Sequence, residues 1–475
     1  MQGTNINYLL KPESIAVIGA SRDEKSVGHG VLKSLVRGCV FQTAYCIPFP
    51  GKVFPINPFA DELLGLKCFK SIKDVREKID MAVICVPANA VLNVVRECTA
   101  KKIKAAVIIS SGFGETGKPG RQLQDKIMQA ARKGKMRIVG PNCLGVIRTH
   151  SNLNASFAPT MPPKGNISFI SQSGALADSI IDWSIDLRYG FSSIISCGNQ
   201  ADLTITDFLE WLGDDSDTKV ITLYIESLVD AGRFMETAKK ISKLKPIIAI
   251  KAGRTQKAMD AIRSHTGNLA GSYEIYEAAL KQCGIIIADT VEEMFDMAKA
   301  LDHQPLCREN AVAIVTNGGG CGVLCADYCA RLGVDVVELK KSTLSRLDRT
   351  GKMHPSYSRN NPLDIVGDAL PERYEAAIDV LLSEEYIHGL IVIQTLQTMT
   401  DPEQNAKIVV AAKQKYPDKP VLCVYMGGKF SQRGINMLED ADIPDYNDPK
   451  KVAMAMKVLI DRGKMMKGNN NQMSE

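Results

Sequence analysis

The chain has 475 residues, of which 45% are hydrophobic and 23% are charged, and its 58 basic and 53 acidic residues give a net charge of +5. The length predicts two to four globular domains, and the small charge does not favour nucleic acid or a membrane surface as a partner. No apolar run is long enough to span a bilayer, and the N-terminus lacks the pattern of a signal peptide. The thirteen cysteines include no CxxC pair, which predicts reduced, buried thiols in a cytoplasmic enzyme rather than disulfides or a zinc site.

Short apolar runs alternate with amphipathic segments along the whole chain, which predicts an α/β fold of parallel sheets covered by helices on both faces. In chain order the predicted strands are 14–18, 53–56, 82–86, 106–109, 137–139, 167–170, 194–196, 220–225, 246–250, 285–287, 311–315, 389–393 and 421–424. The helices predicted between them include 121–133, 203–212, 233–244, 272–282, 373–383 and 450–461.

Two stretches without periodicity divide the chain, residues 148–165 and residues 303–310. They predict domains over 1–147, 148–303 and 304–463, followed by a frayed tail over 464–475. The second and third domains look like structural repeats. Each contains a strand that leads through small residues into a helix, and these junctions are Ser171-Gln-Ser-Gly174 and Thr316-Asn-Gly-Gly-Gly320.

The first predicted strand leads into the turn Gly19-Ala-Ser21-Arg22, and a helix follows. This geometry can present backbone N–H groups to a phosphate, although the turn is not a GxGxxG motif and a plain connection is the alternative. Small or polar residues also follow the next four strands. They include Asn57, Pro58, Val86, Ser111, Gly112 and Asn142. Because the carboxyl ends of parallel strands share one edge, these turns predict a nucleotide-like ligand there.

The two repeated junctions place the starts of helices at Ser173-Gly174 and at Gly319-Gly320. A helix start with small residues leaves free N–H donors at the positive end of the helix dipole. Two such starts in matched positions favour an anion held between them, and ordinary helix capping is the alternative.

His265 stands in a stretch of about twenty residues, from Lys251 to Ser272, that is rich in Gly, Ala, Ser and Thr and predicts a long loop. An unhindered loop histidine could act as a nucleophile or a base, although a lone histidine is more often a polar surface residue. Glu226 ends a predicted strand at the ligand edge and could bind the second imidazole nitrogen of His265. Alternatively, it could be an acid at a helix N-terminus that only stabilises the helix dipole. The pattern of cysteines and histidines gives no metal site, since the helical spacing of Cys321, Cys325 and Cys329 favours small buried side chains over an iron–sulfur cluster.

Taken together, these motifs resemble those of the α subunits of ADP-forming acetyl-CoA synthetases, a branch of the NDP-forming acyl-CoA synthetases that is similar to succinyl-CoA synthetase. The resemblance covers about 9–461. The segments that carry it are Ala16-Val-Ile-Gly-Ala-Ser-Arg, Asn57-Pro58, Gly140-Pro-Asn-Cys-Leu-Gly, Ser171-Gln-Ser-Gly-Ala, Gly198-Asn199, Tyr224-Ile-Glu226, Ser264-His-Thr-Gly, Thr316-Asn-Gly-Gly-Gly and Asn361-Pro-Leu-Asp364.

The resemblance implies a CoA-binding Rossmann-like domain followed by two flavodoxin-like domains of the succinyl-CoA synthetase type. It implies that Gly19, Ser21, Arg22 and Asn57 meet CoA, that His265 is phosphorylated and that Glu226 orients it. The two helix starts, at Ser173-Gly174 and Gly319-Gly320, would cradle the phosphate. Residues 38–51 are longer than the family's usual link between the first helix and the second strand.

The implied reaction interconverts an acyl-CoA, ADP and phosphate with an acid, ATP and CoA through an acyl phosphate and a phosphohistidine. Acetyl is the expected acyl group. Because no ATP-grasp segment is recognisable, the resemblance implies that ADP or ATP and Mg²⁺ bind mainly to a β subunit, in an α2β2 assembly. The alternatives are a non-catalytic CoA-binding regulatory module and an NAD-dependent dehydrogenase. The dehydrogenase is disfavoured because Asn57-Pro58 stands where a ribose-binding acid is expected.

Overall fold

The computed structural model describes residues 6–266 and 272–472, with side chains omitted at 263–266 and 469–472. The chain forms two compact units, Met1–Met294 and Phe295–Glu475. The first predicted domain falls within the first unit. The second, 148–303, extends past the end of that unit, because the boundary between the units lies inside a helix, α10 (Val291–His303).

The first unit contains two large sheets and a small hairpin. Its strands are β1 (Ser14–Ile18), β2 (Lys52–Ile56), β3 (Glu62–Leu63), β4 (Leu66–Lys67), β5 (Met81–Ile84), β6 (Ala105–Ile108), β7 (Arg137–Val139), β8 (Gly145–Arg148), β9 (Leu153–Ser156), β10 (Lys164–Ser171), β11 (Phe191–Ser196), β12 (Val220–Ile225), β13 (Ile247–Lys251) and β14 (Ile286–Ile287). Its helices are α1 (Asn7–Leu10), α2 (Val27–Arg37), α3 (Ala88–Ala100), α4 (Lys118–Lys133), α5 (Gly174–Leu187), α6 (Ile205–Asp214), α7 (Ala231–Leu244), α8 (Gln256–Thr266) and α9 (Tyr273–Gln282).

The first sheet is parallel, in the order β2-β1-β5-β6-β7, and the second has the order β14-β13-β12-β10-β11-β8-β9. Alternate residues of β1 enter different cores. Ile15 and Val17 belong to a large cluster that extends into the second sheet, whereas Ala16 and Ile18 belong to a separate cluster on the opposite face. This two-sided burial is the reason that the strands are continuously apolar in the sequence.

The second unit contains one parallel sheet in the order β16-β15-β17-β18. Its strands are β15 (Val312–Thr316), β16 (Leu363–Asp364), β17 (Gly389–Thr395) and β18 (Val421–Met426). Its helices, after α10, are α11 (Gly319–Leu332), α12 (Lys341–Arg349), α13 (Pro371–Ser383), α14 (Pro402–Lys415), α15 (Gln432–Asp440) and α16 (Pro449–Gln472). The predicted α/β class with parallel sheets is confirmed.

The stretch of residues 148–165, which lacks periodicity in the sequence, contains the strand β9 and the start of β10. β8 and β9 form an antiparallel hairpin around this point, and β8 also pairs antiparallel with β11, so the second sheet is mixed. Arg148, only 1% exposed, is held by Asp215 through two N–H···O bonds of 2.7 and 3.1 Å. Asn154 and Ser156 are also buried. These polar groups inside the sheet hide the strand pattern.

Three further predictions are corrected. The loop predicted between Lys251 and Ser272 contains α8, and the tail predicted to fray from Lys464 continues α16 as far as Gln472. Cys39 and Cys46 form a disulfide with Cα atoms 5.5 Å apart, because the chain turns back on itself directly after α2. The other eleven cysteines are free thiols, as predicted, and nine of them are buried.

Candidate functional site

The turn between β1 and α2 is shaped by glycine and braced by a side-chain amide. Gly19 has φ +92°, and a Cβ there would lie 3.0 Å from the Cys85 backbone carbonyl, so a larger residue would be both strained and crowded. Asn57 Nδ2 donates to the Ala20 carbonyl at 2.7 Å. The structure therefore brings Asn57 to the β1–α2 turn, where its side chain supports the backbone.

Ser21 and Arg22 continue this turn at the surface. The Asp23 backbone N–H donates to Ser21 Oγ at 3.0 Å, and Nδ1 of the buried His29 lies 3.0 Å from the Ser21 carbonyl. No sequence pattern predicted that His29 would contact this turn, because His29 lies eight residues after Ser21, inside α2. Arg22 and Pro58 are exposed beside the turn.

A cavity of about 710 Å³ lies in the first unit, along the carboxyl ends of its two large sheets. Five of the predicted site residues line it, and they are Val86, Ser111, Asn142, Ser173 and Gly174. The predicted CoA edge and the first predicted phosphate-binding helix start therefore meet in one cavity. Gly19, Ser21, Arg22, Asn57, Pro58 and Gly112 do not line it.

Glu115 ties two loops of this cavity together. Its Oε1 accepts from the backbone N–H groups of Gly112 and Phe113 at 2.6 and 3.1 Å, and its Oε2 accepts from Asn199 Nδ2 at 2.6 Å. Asn142 Nδ2 in turn donates to Asn199 Oδ1 at 3.3 Å. Burial alone would raise the pKa of Glu115, but these hydrogen bonds outweigh burial and lower its pKa.

The start of α5 is built from serine side chains and a glycine. Ser173 caps the helix by accepting from the Leu176 backbone N–H at 3.2 Å, and Ser171 Oγ accepts from the Ser173 N–H at 3.1 Å and donates to the Ser173 carbonyl at 2.7 Å. The first-turn N–H groups of a helix have no acceptor within the helix. Those of Gly174 and Ala175 stand at the cavity wall, where they can bind an anion.

The start of α11 in the second unit repeats this local arrangement. Thr316 Oγ1 accepts from the Gly318 N–H at 3.0 Å and donates to the Gly318 carbonyl at 3.1 Å, and the helix begins at Gly319-Gly320. Both α5 and α11 are 14 residues long. The predicted repeat is therefore present at the level of the strand, the turn and the helix.

A buried side-chain amide follows each of these strands, and the sequence analysis missed the role of both. Gln172 Oε1 accepts from the backbone N–H groups of Glu226 and Ser227, and its Nε2 donates to the Ser227 carbonyl at 3.0 Å. In the second unit Asn317 Oδ1 accepts from the Thr395 N–H at 2.7 Å, and its Nδ2 donates to the Thr395 carbonyl at 2.9 Å. In both units the amide fixes the end of a neighbouring strand.

Glu226 follows β12 directly and is 6% exposed, at the same edge of the sheet as the start of α5. His265 belongs to α8, which contacts the 3₁₀ turn Gly114–Thr116 next to the loop of Ser111 and Gly112. The side chain of His265 lies outside the described residues, so its role stays a prediction.

Among the described residues, no three His, Cys, Asp or Glu side chains come together in a way that could hold a metal ion. In the same part of the chain, no helix combines the length and the apolar character needed to cross a membrane.

Three family models match the chain in sequence. They are a CoA binding domain over residues 13–149, a succinyl-CoA ligase like flavodoxin domain over residues 164–301, and a ligase-CoA domain over residues 312–465. This order defines the class, a CoA-binding ligase of the succinyl-CoA ligase type.

Curated relatives identify the family within this class. The chain is 42% identical over 469 residues to the α subunit of acetate–CoA ligase [ADP-forming] II of Pyrococcus furiosus, covering 98% of this chain and 100% of the relative. It is 38% identical to the corresponding subunit of isoenzyme I, covering 96% and 97%. It is 44% identical to acetate–CoA ligase [ADP-forming] of Methanocaldococcus jannaschii, but it spans only 63% of that longer protein. The chain belongs to the family of ADP-forming acetate–CoA ligase α subunits.

Solved structures agree with this assignment. An acetyl-coenzyme A synthetase from Candidatus Korarchaeum cryptofilum, in complex with phosphate and ADP, superposes with a TM-score of 0.90 at 36% identity and covers 98% of both chains. A protein from Pyrococcus horikoshii superposes with a TM-score of 0.86 at 39% identity, covering 97% of this chain and 99% of that one.

Proposed function

We propose that this chain is the CoA-binding, phosphohistidine-bearing subunit of an ADP-forming acid–CoA ligase, with acetyl-CoA as the substrate. The observation that carries the proposal is the cavity in which the edge of the CoA-binding domain meets the start of α5. The acetyl group is taken from the names of relatives that are 38–44% identical over nearly the whole chain. All of those relatives are ligases, so a non-catalytic regulatory module is not favoured.

CoA would bind across the β1–α2 turn and into the cavity. The residues assigned to it are Gly19, Ser21, Arg22, Asn57, Pro58, Val86, Ser111, Gly112 and Asn142. The exposed guanidinium of Arg22 suits the charged phosphate end of CoA, and the cavity suits the thioester end. Asn57 would act by shaping the turn, because both ends of its side-chain amide are bonded to the backbone.

Phosphate would bind at helix starts, where N–H donors and the helix dipole stabilise negative charge without lysine side chains. Ser173 and Gly174 supply one such start at the cavity wall. Gly319 and Gly320 supply the other, in the second unit.

The first chemical step would occur in the cavity. An oxygen of phosphate attacks the carbonyl carbon of the thioester, the C–S bond breaks, and CoA leaves as the thiolate. An imidazole nitrogen of His265 then attacks the phosphorus of the acyl phosphate, the P–O bond to the acyl group breaks, and the acid leaves as its carboxylate. A terminal oxygen of ADP finally attacks the same phosphorus, which breaks the P–N bond and forms ATP. Glu226 would hold His265 in the orientation needed for both transfers.

A partner subunit of the ATP-grasp type would supply the nucleotide site, in an α2β2 assembly. Bound Mg²⁺ neutralises nucleotide charge, and we assign it to the partner because it binds together with the nucleotide. We place the enzyme in the cytoplasm, since eleven of its thirteen cysteines are free thiols, which favours a reducing compartment.

The direct test is ATP formation from acetyl-CoA, phosphate and ADP by the chain assembled with its partner subunit. We expect activity in the wild type, loss of activity in His265→Asn, and a kcat lowered by about 100-fold or more in Glu226→Gln. Glu236→Gln, an exposed change on α7, is the matched control and should stay active. If CoA binds but His265→Asn makes ATP at the wild-type rate, the regulatory module or another mechanism replaces this proposal.

A further inference from the structure

Lys251, the last residue of β13, is a cation enclosed by protein. It is 1% exposed. Its Nζ donates to the Glu226 carbonyl at 3.0 Å and to the Ala252 carbonyl, and it lies 4.5 Å from the centre of the Tyr276 ring on α9. Two backbone carbonyls, at the end of β12 and directly after β13, and one aromatic ring on α9 thus surround one ammonium group.

Burying the charged ammonium group of Lys251 is unfavourable, and its neighbours offset this penalty only in part. Burial lowers the pKa of Lys251 to about 8, and the negative charge of Glu226 acts in the opposite direction. Among described residues, Glu226 from the end of β12 and the Tyr276 phenol on α9 are the titratable groups that face it. At neutral pH the lysine is therefore mainly charged, and an apolar side chain of similar size would not carry this cost.

The same lysine stands where the segment that carries His265 begins. The chain turns at Gly253 with φ +90°, and a Cβ there would lie 2.8 Å from Ile262 Cδ1 and 3.7 Å from Lys251 Nζ. The buried Ile262 of α8 thus packs against this turn, three residues before His265. A displacement of the Lys251 ammonium would be transmitted both to the end of β12 and to the base of α8.

We propose that Lys251 is a positioning residue, which holds the backbone of Glu226 at a fixed place relative to the helix that carries His265. The inference rests on the proposed function, since it assigns Lys251 to the phosphoryl transfer between these two residues. Because Lys251 is buried and does not line the cavity, its loss is expected to slow this transfer without changing substrate affinity.

The matched control is Lys413 in the second unit. Its Nζ also donates to two backbone carbonyls, those of Pro417 and Lys419, at 2.9 and 3.0 Å, and burial also lowers its pKa to about 8. Lys413→Met therefore makes the same chemical change at a distance in sequence from the predicted site, in the other unit.

The experiment compares Lys251→Met, Lys251→Gln and Lys413→Met in the enzyme assembled with its partner subunit. The measurements are the rate of His265 labelling by radiolabelled ATP, kcat and KM for acetate and CoA, and the thermal unfolding midpoint. We expect Lys251→Met to lower the labelling rate and kcat by about 10- to 100-fold, with both KM values within about twofold of wild type. Lys251→Gln, which keeps an N–H donor, should be intermediate, and Lys413→Met should match the wild type.

Several results would overturn the assignment of Lys251. They are unchanged labelling in Lys251→Met, a raised KM with unchanged kcat, or a loss of activity fully explained by unfolding at the assay temperature. If Lys251→Met does not fold, Lys251→Gln is judged by the same criteria. If the wild-type enzyme itself is active but leaves His265 unlabelled, the proposed function fails instead, so the two failures are distinguishable.

Discussion

At the scale of single residues, the candidate site contains several polar side chains that brace the backbone. Asn57, Glu115 and Gln172 all use their oxygen or nitrogen atoms on main-chain groups. Removing one partner of such a buried hydrogen bond destabilises the protein, because the remaining polar group has neither water nor a protein partner to bond with. The geometry of the cavity is thus held by a small number of individually important residues.

Glu115→Gln tests this view. The amide has one acceptor oxygen, so it cannot serve the N–H groups of Gly112 and Phe113 together with Asn199. We expect a loss of about 1–3 kcal/mol in the free energy of unfolding and a KM for CoA raised by roughly tenfold. Asp125→Asn, an exposed change on α4, is the control.

The effect of Glu115→Gln should depend on pH. Because the folded-state pKa of Glu115 is lowered, its carboxylate stabilises the protein above the pKa of the unfolded chain, and this stability is lost as pH falls through the folded-state pKa. The difference in unfolding free energy between wild type and Glu115→Gln should have its largest value at pH 7 and should decrease as the pH is lowered. A difference that grows in acid would contradict the assignment of charge to this residue.

At the scale of elements, the two units repeat one device, a strand followed by a hydroxyl-braced turn and a 14-residue helix. In each copy a side-chain amide two residues before the helix fixes the end of a neighbouring strand. The first-turn N–H groups of each helix have no acceptor within the helix, which is what an anion-binding helix start requires.

The two glycines at the start of α11 should respond differently to substitution. A Cβ at Gly319 would lie 2.6 Å from Asp364 Oδ2, whose carboxylate also accepts from the Val366 N–H, whereas a Cβ at Gly320 meets nothing within 4 Å. We expect Gly319→Ala to destabilise the protein and Gly320→Ala to stabilise it by up to about 1 kcal/mol. Chemical denaturation measures both, and equal effects would contradict the described approach of Asp364.

The strands that the sequence could predict are those that form continuous apolar runs. Each predicted strand is found, because a continuous β-branched run between helices is typical of a strand in a covered parallel sheet. The hairpin of β8 and β9 escaped prediction because Arg148 and Asn154 are buried in it, and α8 escaped because Gly, Ala, Ser and Thr are as typical of loops as of helices.

The site was predictable only in part for a similar reason. Motifs beside the strand ends pointed to Ser173 and Asn142, which line the cavity, and to Glu226, whose role stays a prediction, since small and polar residues at that edge are typical of ligand-binding turns. Gln172 and Asn317 could not be assigned, because their partners lie 54–55 and 78 residues away in sequence and no local spacing reveals such a bond.

At the scale of the whole molecule, every residue assigned to CoA lies in the first unit of this chain. We therefore expect the isolated chain to bind CoA, with saturable heat in isothermal titration and a raised unfolding temperature, and to form no ATP until the partner subunit is added. Ser111→Trp, which would place a large side chain at the cavity wall, should abolish the heat of CoA binding. CoA binding only in the presence of the partner would contradict the assignment.

The central claim is that one histidine carries the phosphoryl group between the thioester and the nucleotide. The assembled enzyme is incubated with γ-labelled ATP, the labelled peptide is sequenced, and the label is then chased with ADP or with acetate and CoA. We expect an acid-labile, base-stable label on His265 that either chase removes at a rate at least equal to kcat. An enzyme that turns over fully while His265 stays unlabelled, or whose label is discharged more slowly than kcat, would contradict this claim.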